Sequence, residues 1–147
     1  MNVVNLSEKF SLLHEYWSPR IAGELNNSYV KLARLKGEFA WHHHENEDEL
    51  FLVVRGRLLI KTGAGDVWLN EGEFVIIPRG VEHCPVAEEE VHVLLLEPKS
   101  TVNTGNVQNE LTVTDQWIEL KNSIKEHPYA PNQQAEEGGK DVPWSRT

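Results

Sequence analysis

The stretch "EFAWHHHENEDELFLVVRG", Glu38 to Gly56, sets three consecutive histidines directly before an acidic turn and an apolar run. On an extended chain, side chains alternate, so His42 and His44 share one face and His43 takes the other. Two imidazoles on one face are a potential metal clamp. Glu49 follows across "ENED", a turn-forming segment, and opens the apolar run "LFLVV". Strands joined by that turn are expected to pair antiparallel, which sets His42 and His44 opposite Glu49 at cross-strand contact distance. His83, just past the Pro78-Arg79-Gly80 turn, is a further candidate. Neutral imidazoles with one carboxylate form a mixed nitrogen and oxygen set of the type that holds Mn, Fe, Co, Ni, Cu or Zn. Three such His and one Glu leave open positions on a metal that prefers five or six ligands, and a catalytic centre needs open positions.

The elements that must position these residues read as short strands. "RIAGELN" and "SYVKLARLKG" flank Asn26-Asn27, a good hairpin turn pair. "EFAWHHH", "ELFLVVRG", "RLLIKTG", "DVWLNEG", "EFVIIPRG" and "VHVLLLEP" follow, with Gly, Pro or Asn at nearly every break. Many short strands with no helical period between them predict an all-β sandwich or barrel. Before them, Ser7 to Tyr16 is predicted as a short helix with Ser7 as its cap. The expected organisation is a helical lead-in over 1–19, a barrel over 20–98, a surface-packed extension over 99–120 and a polar tail over 121–147 rich in Pro and Gly.

The 147 residues suffice for one domain with a real core. A net charge of −9 makes nucleic acid and anionic membrane surfaces poor partners. The longest apolar run, "VHVLLL", is too short to cross a bilayer, and "MNVVNLSEKF" lacks the pattern of a secretory signal. A cytoplasmic location is therefore expected. The single cysteine, Cys84, excludes an intrachain disulfide and is read as a buried inert thiol. His43 is read as facing away from the site. His14, His92 and His127 have no motif, and Trp41, Trp68 and Trp117 are read as packing residues. Lys31, Arg34, Lys36, Arg55, Arg57, Lys61 and Arg79 lie within the barrel segment. Ordinary surface charge is the favoured reading, with inward cations holding a carboxylate or phosphate as the sharper one.

The stretch Gly37 to Gly56 resembles the first motif of the cupin superfamily: a glycine, H-x-H, three or four residues, E, six residues and G. His42, His44, Glu49 and Gly56 match it, with Gly37 one residue closer to the first His than usual. Gly72, Pro78, Gly80 and His83 match the second motif at every spacing, and Ala87 stands where an Asn often closes it. The resemblance implies a jelly-roll barrel, also called a double-stranded β-helix, that holds one divalent transition metal on His42, His44, Glu49 and His83. The subgroup resembled is the small single-domain, mannose-6-phosphate-isomerase-like one, in which homodimers are common. The implied function is a metal-dependent enzyme on a small polar or anionic metabolite, of dioxygenase or isomerase/lyase type. The alternative is a non-catalytic module that binds a sugar or metabolite, and a seed-storage-like role fits poorly. No Lys, Tyr or second Glu is fixed near the metal by spacing, so a general base is not assigned.

Overall fold

The computed structural model describes residues 1–119. The expected tail over 121–147, with His127, lies outside them. The lead-in helix α1 spans Leu6–Ser11, and the Asn5 side chain caps it by accepting from the Glu8 amide at 2.9 Å. It is shorter than the predicted Ser7 to Tyr16, and its cap is Asn5 rather than Ser7. The amides of Leu12 and Leu13 already reach back only three residues, to Lys9 and Phe10, which tightens and ends the turn. Trp17 then adopts φ +57, where no helix continues.

Seven strands follow: β1 (Arg20–Leu25), β2 (Ser28–Glu38), β3 (Glu49–Arg55), β4 (Leu58–Thr62), β5 (Gly65–Leu69), β6 (Phe74–Ile77) and β7 (His83–Pro98). Asn26 makes the β1–β2 hairpin possible by accepting φ +50, a left-handed conformation that Asn tolerates. The sheet order is β1-β2-β7-β3-β6, with β4 pairing both β5 and β7. The pairings between these strands are antiparallel. The fold is the predicted all-β jelly roll.

The long β7 closes it. Its first half, His83 to Val86, pairs with β4, and its second half, from His92, pairs with β3. "VHVLLLEP" is therefore only part of a 16-residue strand. Glu88, Glu89 and Glu90 bulge between the two halves without register partners on β2, where the pairing jumps from Leu35–Val91 to Gly37–Ala87. That acidic triplet made one strand read as a break.

Inward positions alternate cleanly. Ala33 and Leu35 of β2, Phe51 and Val53 of β3, Leu58 and Ile60 of β4, and Val91, Val93 and Leu95 of β7 form the core with Trp17, Leu69, Ile77 and Ala87. Each fully buried large apolar side chain contributes about 1.5–3 kcal/mol. A second cluster outside the barrel packs Phe10 and Leu13 against Ala22, Leu32 and Ile118, which docks the lead-in and the extension on β1 and β2. Cys84 is fully buried, and desolvation pushes its thiol up to about 11, so it stays protonated.

Candidate metal centre

The segment Phe39 to Asp48 is no strand of its own, contrary to the reading of "EFAWHHH". It is held alongside the start of β7. The amide of His42 donates to the His83 carbonyl at 3.0 Å, and the His83 amide returns the bond to His42 at 2.9 Å. Further bonds run from the Phe39 amide to Pro85 and from the Gly80 amide to His44. Asp48 accepts from the Arg79 amide, tying the acidic turn to the Pro78-Arg79-Gly80 turn. The expected hairpin between the histidines and Glu49 does not form; Glu49 pairs with Ile77 of β6 instead. The His run thus meets the second motif, and Glu49 arrives as the first residue of β3, on the inward face it shares with Phe51 and Val53.

This geometry brings one ring nitrogen from each of His42, His44 and His83 within 4.8 Å of one another. All three side chains are buried. Nδ1 of His42 lies 2.8 Å from the Ala40 carbonyl, and Nδ1 of His83 lies 2.8 Å from that of Val81. A carbonyl only accepts, so each Nδ1 carries the proton and donates it, and each Nε2 presents a lone pair. Nε2 of His44 and of His83 have no hydrogen-bond partner. Leaving such buried atoms unpaired costs about 1–3 kcal/mol each, and one metal ion at their centre would satisfy them together. Burial pushes His42 down to about 4 and also lowers His44 and His83, so neutral, ligating imidazoles prevail at neutral pH. The donor set therefore fits a divalent transition metal.

Glu49 adjoins the trio: its Oε2 stands 3.1 Å from His44 Nε2. Burial raises its carboxyl to about 7, against the opposing influence of a hydrogen bond with Glu97 and the charge of Lys31. His43 turns outward, with Nδ1 2.8 Å from Glu82. His92 is outside the site, stacked on Phe10 at 4.6 Å and bonded to Glu90.

Two ionic residues lie in the interior: Glu97, not singled out from the sequence, and Lys31, for which an inward position holding a carboxylate is the sharper of the two readings. Glu97, nearly fully buried, contacts Glu49, and Lys31 reaches Glu97 at 2.9 Å and Asp115 at 2.6 Å. Of the seven barrel cations, Lys31 alone is buried, with the carboxyl groups of Glu97 and Asp115 against its ammonium. Arg34 pairs with Glu90, and Arg57 lies over the Trp68 ring at 3.9 Å. Beside the histidines is a cavity of about 30 Å³ walled by Trp17, Phe39, His42, Glu49, Glu97 and Asn103 among others, with no Lys or Arg among the described residues of its lining.

Fold and site together define a small β-barrel with an interior trio of histidines that could hold a metal, and the comparisons agree on the fold. The pattern of the Cupin domain family matches residues 30–97. A cupin-2 domain containing protein from Shewanella frigidimarina is 44% identical, with a TM-score of 0.64 over 65% of this chain and 94% of its own. A Neisseria meningitidis protein is 28% identical, with a TM-score of 0.61 over 65% of this chain and 98% of its own. The chain belongs to the cupin superfamily. YdbB of Bacillus subtilis, an uncharacterized protein, is 41% identical over 61 residues, and the chain spans only 54% of its length. Among the described residues no helix is long and apolar enough to cross a membrane.

Proposed function

We propose that the protein is a metal-dependent enzyme that uses His42, His44, His83 and Glu49 to hold one divalent transition metal. The observation that carries this reading is the cluster of three buried imidazoles whose ligand nitrogens lie within 4.8 Å of one another, two of them, His44 and His83, with an Nε2 that makes no hydrogen bond. When bound, the metal supplies Lewis acidity toward an oxygen-bearing group of a small metabolite. The chain's own residues shape what can approach. Trp17 and Phe39, stacked at 4.8 Å, form an apolar wall. Glu97 faces the same cavity, and burial, then the charge of Glu49, hold its carboxyl well above the usual carboxylate range. A carboxyl raised in this way and set in hydrogen-bond contact with Glu49 supports proton-transfer chemistry of isomerase or lyase type over oxygen-using dioxygenase chemistry. Because no cation among the described residues lines the cavity, the metal itself would neutralise an anionic substrate. The kinship with mannose-6-phosphate-isomerase-like cupins is accordingly proposed for the architecture and not for a sugar-phosphate substrate.

The test is reconstitution with Mn(II), Fe(II), Co(II), Ni(II) or Zn(II), followed by a panel of hydroxy and oxo acids in deuterated buffer. Deuterium incorporation next to a carbonyl, lost in Glu97→Gln, is the expected result. Oxygen uptake would shift the reading to a dioxygenase. Tight binding with neither would leave the non-catalytic module.

We also infer a homodimer. The outer face of β7, β3 and β6 carries two uncharged rows, Leu94–Leu52–Phe74 and Leu96–Leu50–Ile76. Phe74 and Ile76 are 61% and 53% exposed on β6, the end strand of the sheet order. On a chain of net charge −9, this face is a place where two copies can meet without like-charge repulsion.

A further inference from the structure

The extension after β7 does more than cover the barrel. Asn106 grips the middle of the histidine run by both main-chain groups: its Oδ1 accepts from the His43 amide at 2.9 Å, and its own amide donates to the His43 carbonyl at 3.0 Å. Gly105 adopts φ +56 directly over that carbonyl. A Cβ at Gly105 would stand 2.1 Å from His43 O and 3.1 Å from Cδ2 of the His42 ring. No side chain fits there. At its far end the same extension supplies Asp115, which holds Lys31; Lys31 holds Glu97, and Glu97 contacts Glu49. The segment between is rigidified by its own bonds. Fully buried Thr104 bonds the Val107 carbonyl and Thr112, and Asn103 bonds both Leu111 and Val113. It is then anchored on β1, where the Ile21 amide donates to Gln116 and the Ile118 amide donates to Ile21.

We propose that the extension is a positioning clamp for the metal centre. Asn106 and Gly105 fix the main chain between His42 and His44, and Asp115, through Lys31 and Glu97, fixes the Glu49 carboxylate. The inference rests on the metal-binding reading above and deepens it. None of these residues touches the metal; they act on the ligands, as outer partners of ligating His and carboxylates do. Since docking and metal binding favour the same arrangement, each must strengthen the other by the same factor.

The experiment measures metal affinity by chelator competition with Mn(II) and Zn(II), and amide hydrogen exchange with and without metal, on the full chain. Asn106→Leu and Asp115→Ala should each weaken binding by about 10- to 100-fold. Asn106→Asp, which keeps the Oδ1 acceptor, and Gln108→Ala, at an exposed position of the same segment, should stay within about twofold of the unsubstituted protein. Metal should slow exchange of the Asn106 amide in the unsubstituted protein, a readout that needs no variant to fold. Unchanged affinity in Asn106→Leu and Asp115→Ala, or metal-independent exchange at Asn106 in a protein that does bind metal, overturns the clamp. Failure of the unsubstituted protein to bind either metal overturns the underlying metal reading instead.

Discussion

At the residue scale, the site combines groups pushed in opposite directions by the same cause. Burial lowers the three histidines and raises Glu49 and Glu97, because desolvation disfavours whichever form is charged. Metal must displace the proton that Glu49 retains up to about pH 7. Apparent metal affinity should therefore fall about tenfold per pH unit below 7 and level off above it, which calorimetric titration across pH 5.5–8.5 checks. A flat profile through pH 7 would remove Glu49 from the ligand set. In the chelated protein, linkage works the other way. A carboxyl raised from 4.5 to about 7 contributes stability that is full below 4.5 and is lost as pH rises through 7. The three histidines act in the opposite sense: their contribution is lost as pH falls through the unfolded value of 6.5 and changes little above it. The loss carried by the raised Glu49 and Glu97 carboxyls should therefore appear as a drop in the metal-free melting temperature as pH rises from about 7 to 8. The ligand candidates were legible because their types and spacings are local. Glu97 was legible too but was not singled out: counting in twos from Val91, Val93 and Leu95 lands on it, and from Leu35 and Ala33 on Lys31, whose inward position was the sharper reading of the barrel cations.

At the element scale, one of the eight expected strands, "EFAWHHH", lies beside β7 without forming a strand of its own. The other seven and the β1–β2 hairpin followed from short apolar runs and Asn-Asn. Strand partners did not, because register between distant segments is set by pairing that no local pattern records. That is why the His run was matched to β3 when it pairs with β7, and why "EEE" hid a bulge inside one strand. The turn from β3 to β4 shows a motif residue kept for backbone reasons. Gly56 sits at φ +91, and a Cβ there would come 2.9 Å from the Glu90 carbonyl. The Gly56→Ala variant should lose about 1–3 kcal/mol, seen as a lower denaturant midpoint at unchanged slope. An unshifted midpoint would mean that this turn tolerates a side chain.

At the scale of the whole molecule, the proposed metal ligands come from an irregular segment, β3 and the start of β7, so an ion bound among them would stabilise only the folded barrel. At metal concentrations 100-fold above the dissociation constant this is worth about 2.7 kcal/mol, or several degrees in melting temperature. A chelator should lower the melting temperature by that much and leave the far-ultraviolet spectrum intact, since the apolar core is independent of the metal. Light scattering at micromolar concentration should report a dimer, and Phe74→Glu with Ile76→Lys a folded monomer; a monomeric unsubstituted protein would refute the paired outer faces. The central claim is the metal centre itself, and elemental analysis after metal loading and desalting tests it most directly. The account predicts about one divalent transition metal per chain in the unsubstituted protein and in His43→Ala, and almost none in His42→Ala with His44→Ala. Equal metal in the double variant and the unsubstituted protein, or loss of metal only in His43→Ala, would contradict it.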